Sequence, residues 1–262
     1  MVEISTHKDL QPLQKLPFCF YCGLGFKPED QKDQDHVPAE TIFAKSDRRP
    51  LKLPTHIVCN AQHAASDQLV GQLIQLLRFE VPKSERDRQL QFYLDTANGL
   101  GAVTNINLDA MAQRWLRGFH AALYRQPLAE NTRFAITFPM PKARLVDGQP
   151  QFEPLRIQQH QFVVDTIKNA RPRRNLDRIE INNGKLVYEC VWVKADNADY
   201  WSCFFALDVC GWRDLAPAYG FPRCGCAGLY TVPAGELPKT AMQLNPGKIR
   251  VQNLDPLDPF GP

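Results

Sequence analysis

No window of the 262 residues reaches the roughly 18 uninterrupted apolar positions that a membrane-spanning helix needs. The opening residues, MVEISTHKDLQPLQKL, hold no apolar core of signal-peptide length. The expectation is a cytoplasmic chain with no membrane partner. Net charge is scarce too. The balance of 31 Lys and Arg against 28 Asp and Glu leaves +3. That excludes bulk attraction to a polyanion, so any basic binding face must be local. Repeats and low-complexity tracts are missing from the sequence. Histidine is sparse beyond residue 70, where the sequence has His120 and His160 alone.

What is present is an ordinary globular balance, 44% hydrophobic and 23% charged, sufficient for a real core without cross-links. The eight cysteines would suit disulfides in a secreted protein. In a reducing cytosol, closely spaced cysteines point instead to metal. Ligand-type residues crowd the first third of the chain: Cys19, Cys22, Asp35, His36, His56, Cys59, Asn60, His63 and Asp67.

Beyond that third, periodicity sets the expected elements. Leu69, Val70, Leu73, Ile74 and Leu77 fall on one helical face. SERD at 84–87 has the form of a capping box, and Leu90, Tyr93, Leu94 and Ala97 follow at helical spacing until NGLG at 98–101. From Asn107, a good N-cap, a stripe of Leu108, Met111, Ala112, Trp115, Leu116 and Phe119 predicts an amphipathic helix. The remainder reads as strand-rich. RFAITF is of β type, residues 177–195 form a hairpin around Asn183-Gly184, and WSCFFALDVCGW is the next strand. From Pro246 a proline-bearing stretch reads as an extended tail.

CFYCG at 19–23 has the C-x-x-C spacing of a zinc knuckle, in which a tight turn aims two thiolates at one tetrahedral ion. His56 and Cys59 repeat that spacing as H-x-x-C, and together the four make a Cys3His structural zinc set. The competing reading takes them as core cysteines with an incidental histidine. A redox C-x-x-C would need a βαβ context that is not evident here. Asp35, His36, Asn60 and His63 remain outside the zinc set. A helix starting near Cys59 would put Asn60 and His63 on one face, where they can meet a strand carrying Asp35 and His36.

CFYCG, DHVPAETIF and LPTHIVCN together resemble HNH endonucleases of the ββα-metal fold, over about residues 17–67. The resemblance implies that His36 is the general base activating water and that Asp35 binds a divalent ion. Asn60, with His63 as a further candidate, would complete that catalytic metal site. Two departures stand out. His56 sits where such proteins usually carry Cys, and the middle Asn of the HNH signature has no match in SDRRPLKLP. The chemistry is coherent in its own right. Hydrolysis of a phosphodiester needs water deprotonated near neutral pH, where histidine titrates. It also needs a cation on the scissile phosphate, and Mg2+ or Mn2+ takes few protein ligands.

AKSDRRPLK sets Lys45, Arg48, Arg49 and Lys52 against one acid, between the two candidate halves, as phosphate contacts without sequence readout. KNARPRRNLDR reads as solvated surface, and Cys190, Cys203, Cys210, Cys224 and Cys226 as core thiols rather than a second zinc site. The expectation is an α+β protein. It has an N-terminal zinc-stabilised ββα-metal nuclease module (1–80), a helical segment (81–128) and a β-rich C-terminal domain with an extended tail (129–262). It would hold structural Zn2+ and catalytic Mg2+ or Mn2+ and act on nucleic acid, DNA first. The alternative is a non-catalytic zinc-binding module for DNA or a protein partner.

Overall fold

The structure is a computed structural model. It describes residues 1–43, 51–77, 90–95, 100–103, 105–137, 143–146, 149–152, 154–173, 175–215, 226–245, 249 and 260. The fold is mixed α+β. A short strand β1 (Glu3–Ile4) and helix α1 (His7–Leu10) precede the cysteine knuckle. Strands β2 (Lys32–Val37) and β3 (Leu51–His56) then pair antiparallel. Helix α2 (Ile57–Ala61) starts as β3 ends, and α3 (Ala64–Leu77) follows it. Val70, Leu73 and Ile74 of α3 are buried, as the expected stripe requires.

The helix expected through Tyr93 and Leu94 is corrected: β4 (Phe92–Asp95) pairs antiparallel with β5 (Leu100–Val103). Phe92 and Tyr93 favour strand, and the intervening Asn98-Gly99 is a strong hairpin signal. These outweigh a helical spacing of four residues. The SERD segment lies outside the described residues. Helix α4 (Leu108–Tyr124) is as expected, and the Asn107 side chain accepts from the Ala110 N–H at 3.0 Å to cap it.

The C-terminal half holds β6 (Phe134–Thr137), the hairpin β7 (Ala143–Val146) and β8 (Gln149–Phe152), and a long helix α5 (Pro154–Ala170). Strands β9 (Asp177–Ile181), β10 (Leu186–Val193) and β11 (Tyr200–Val209) follow. Then come the short α6 (Trp212–Leu215), β12 (Cys226–Pro233) and β13 (Gln243–Leu244). The β9–β10 turn has Asn182, Asn183 and Gly184 all at positive φ, the backbone such residues tolerate best. Helix α5 was not expected in a strand-rich half.

The large sheet runs β1-β9-β10-β11-β12-β6, with β13 beside β10. Its strands are apolar on both sides because both faces are covered. Tyr188, Cys190, Trp192, Cys203 and Phe205 pack towards α4 and the N-terminal region, and Val191, Val193, Phe204 and Ala206 pack under α5. Cys190, Cys203 and Cys226 are buried thiols, whereas Cys224 lies outside the described residues. One apolar cluster joins Leu13, Phe18, Val37 and Leu51 to Trp115 and Phe119 and on to Tyr188 and Phe205. The knuckle region, α4 and the sheet therefore share a core. At Gly118 a Cβ would stand 2.6 Å from Val37 Cγ1, so glycine lets β2 lie directly on α4. The tail expected from Pro246 falls almost wholly outside the described residues.

Candidate metal centre

The knuckle turn is built by its backbone. The Gly23 N–H returns to the Cys19 carbonyl at 2.9 Å, and the Cys19 N–H bonds the Leu24 carbonyl at 2.9 Å. The Phe20 N–H reaches the Pro54 carbonyl at 3.2 Å, which ties the turn to β3 just before His56. Gly23 sits at φ 78°, the left-handed backbone such a turn needs. Four side chains converge here: the ligand atoms of Cys19, Cys22, His56 and Cys59 all lie within 4.8 Å of one another. His56 Nδ1 is 3.5 Å from Cys22 Sγ and 3.9 Å from Cys59 Sγ. A tetrahedral zinc with bonds of about 2.0–2.3 Å sets its ligand atoms roughly 3.6–3.8 Å apart. The four can hold such an ion.

Their surroundings suit that role. His56 presents Nδ1 to the sulfurs, and its Nε2 lies 3.3 Å from Asp30 Oδ2. A carboxylate placed behind an imidazole in this way orients the ring for metal ligation. Cys19 is fully buried, with Thr55 Oγ1 at 3.3 Å. Burial pushes its thiol up, but N–H groups of Cys22 and His56 and the Thr55 hydroxyl outweigh it, lowering the pKa to about 7. Burial, with the charges of Cys19 and Cys22, pushes Cys59 up to about 12. Cys22 is also raised, chiefly by burial. Three thiols this close all ionise only around a cation.

The remaining expected residues are divided between two faces of β2. Asp33 and Asp35 point towards the helices. The Asn60 amide donates to Asp33 Oδ2 at 2.8 Å, and Asp35 receives an Arg114 guanidinium N–H from α4. His36 occupies the other face, paired across the strands with Lys52, its side chain 25% exposed and Nε2 3.9 Å from Glu40 Oε2. Asp33 is held below the usual carboxylate range by the Asn60 hydrogen bond first, then by the Gln34 N–H, with a further pull from His36.

His63 places its ring edge-on to Tyr21 at 4.4 Å, with Nε2 buried and unpartnered. Its pKa is lowered by burial, then by the charge of Arg114, against the pull of Asp35. The Asp35 carboxylate and the Asn60 amide, expected to hold Mg2+ or Mn2+, each have a protein partner in this structure. Asp35 is committed to Arg114, and Asn60 faces Asp33. Among the described residues, the Cys19 group is the one place where three or more Cys, His, Asp or Glu ligands gather. Of the basic run, Lys52 is described, and Lys45, Arg48 and Arg49 lie outside the described residues.

Sequence reasoning passed over Asp30, Asp33 and Arg114. Arg114 left a trace: it sits between Met111 and Gly118 on the apolar stripe of α4, where a charge signals a buried partner. The two aspartates had no comparable mark, since acids in loops and strand edges are common. No family model, curated protein or solved structure matches this chain.

Proposed function

We propose that the chain is a zinc-stabilised nucleic-acid phosphodiester hydrolase of the HNH type, acting on DNA in the first instance. The observation that carries this reading is the pairing of His36 with Lys52. It lies on an antiparallel hairpin whose following helix meets the knuckle at Cys19, Cys22, His56 and Cys59, a cluster able to hold a metal ion. In this reading zinc would be held by those four and would fix β3 and α2 against the knuckle, a structural task. His36, half-buried and next to the acid Glu40, takes a proton from water. Lys52 beside it meets a phosphate oxygen. The order strand, strand, helix with a knuckle ahead of it is the arrangement a ββα-metal module requires. Nothing in the step described here passes through Asp35.

A second reading is favoured by one observation, the Arg114–Asp35 ion pair, which removes from the centre the carboxylate that the HNH resemblance makes a metal ligand. In that reading the same scaffold binds nucleic acid without cutting it. Plasmid cleavage by the zinc-loaded chain separates the two, with Mg2+, with Mn2+ and with no added divalent ion, beside DNA binding by gel shift. The hydrolase reading expects nicking by the wild type, loss of at least about 100-fold in His36→Ala, the usual worth of a general base, and retained binding. Binding with no cleavage under any of the three conditions leaves the second reading standing.

A further inference from the structure

A cavity of about 610 Å3 opens between the knuckle, the loop after α4 and the turn after β12. Its apolar walls are Leu24 of the knuckle, Pro127 and Leu128 of the loop, Val232 near the end of β12 and Leu237 beyond it. These walls are held from behind. The Arg117 guanidinium donates to the carbonyls of Leu128 and Ala129, each at 3.0 Å, and of Glu130 at 2.9 Å. On the knuckle side, a Cβ at Gly23 would stand 3.2 Å from Pro127 Cβ, so turn and loop already touch. Small-molecule sites are cavities of this size with walls set in advance, mostly apolar, with a few polar groups that fix the ligand.

One polar side chain lies at the floor. His120 of α4 lines the cavity and is 2% exposed. Its Nδ1 is bonded to the Tyr230 hydroxyl at 3.1 Å, and Tyr124, Trp192 and Tyr230 all meet the ring edge-on. Nε2 has no protein partner among the described residues, yet it is not one of the sealed, unpartnered nitrogens. The little surface it keeps therefore opens to the cavity. Burial lowers the pKa of this imidazole to about 3, so it offers a hydrogen bond and no charge. The charged groups around the cavity, Glu130, Glu236 and Lys239, are all exposed. Two acids against one base hold no excess of positive charge to draw an anion, and Arg117 is turned to its three carbonyls. The chemistry that fits is an apolar body with one hydroxyl, which can donate to Nε2 or accept from it, whichever tautomer Tyr230 selects.

We propose that this cavity binds a small, uncharged, largely apolar molecule bearing a hydroxyl, with that hydroxyl on His120 Nε2 and the apolar body against Leu24, Pro127 and Leu237. The site goes beyond the hydrolase reading. It uses neither His36 nor Lys52, and it stands whether or not the chain cleaves DNA.

The test uses p-cresol as the probe, and toluene as its counterpart without the hydroxyl, on the full-length, zinc-loaded chain. The imidazole nitrogen resonances are followed by NMR. p-Cresol is expected to shift the His120 Nε2 resonance saturably, with a Kd in roughly the millimolar range for a ligand of this size. Toluene is expected to bind about 5-fold more weakly, because it leaves Nε2 unpaired. Leu24→Asp, at a side chain 66% exposed, sets a carboxylate on the apolar wall without touching the core and should weaken p-cresol about 10-fold. His120→Leu should erase the preference for p-cresol over toluene. If that variant does not fold, the wild-type comparison and Leu24→Asp decide. Absence of a saturable shift at His120 with p-cresol overturns the proposal. So does wild-type toluene binding as tight as that of p-cresol, and so does an unchanged p-cresol affinity in Leu24→Asp.

Discussion

At the scale of the residue, His120 carries a clear pH signature. It is buried on α4, hydrogen-bonded through Nδ1 to the Tyr230 hydroxyl at 3.1 Å. Burial, and secondarily the charge of Arg117, lowers its pKa from 6.5 to about 3. Above pH 6.5 the imidazole is neutral folded or unfolded and costs nothing. Below it, the unfolded chain takes a proton that the folded chain refuses. Stability then falls by about 1.4 kcal/mol per pH unit down to roughly pH 3. Urea titrations at pH 6.5 and 5.0 should differ by about 2 kcal/mol from this group. His120→Gln should lose that part of the slope, and an unchanged slope would refute the assignment. Asp30 makes a second residue-scale case. If its carboxylate orients His56 on a bound zinc, Asp30→Ala lowers zinc affinity about 10–100-fold. Competition with a chromophoric chelator reads this directly, and equal affinity would reduce Asp30 to a surface acid.

At the scale of the element, the knuckle and the caps behave differently because one depends on protons and the other does not. With Cys59 near 12 and Cys22 also raised, zinc binding must release protons. Its affinity should therefore fall by roughly two decades or more for each pH unit lost below neutrality. Chelator competition at pH 6 and pH 7 checks this, and a pH-independent affinity would mean that these thiols are not the ligands. The start of α4 has no such dependence. Removing the Asn107 cap with Asn107→Ala should cost about 1 kcal/mol at any pH, measured as a urea midpoint shift. Elements were legible where several signals agreed. Asn107 followed by Met111, Trp115 and Phe119 could be little else. The strand at Phe92–Asp95 was misread, because four residues at helical spacing are too few to overrule aromatic β propensity and a hairpin turn. Helix α5 escaped notice because its apolar face looks no different from the neighbouring strands until a sheet lies beneath it.

At the scale of the whole molecule, the shared core decides what can be separated. β1 pairs in parallel with β9, and the Val2 N–H bonds Asp177 Oδ1 at 2.6 Å. Asp177 is fully buried and also accepts from the Tyr124 hydroxyl at 2.8 Å and the Met242 N–H at 2.9 Å. The first residues, α4 and the end of the large sheet thus meet on one carboxylate. A chain beginning at residue 81 would leave Trp115, Phe119 and Tyr188 facing water along their N-terminal side. It is expected to lose cooperative unfolding and to bind a hydrophobic dye. A sharp two-state transition in that fragment would show that the two parts stand alone.

The sequence by itself determined what depends on short range: the pairing of C-x-x-C with H-x-x-C, the N-cap and apolar stripe of α4, and the Asn-Asn-Gly turn of the β9–β10 hairpin. Each is a pattern of neighbours, fixed by turn geometry and periodicity. Tertiary structure alone decided which charge meets which. Adjacent residues of a strand face opposite ways, so Asp35 and His36, read together in sequence, are parted in space. The approach of α4 at Gly118 hands Asp35 to Arg114, 79 residues further along the chain. A buried carboxylate takes whatever cation packing brings to it, and no local pattern records which one that will be.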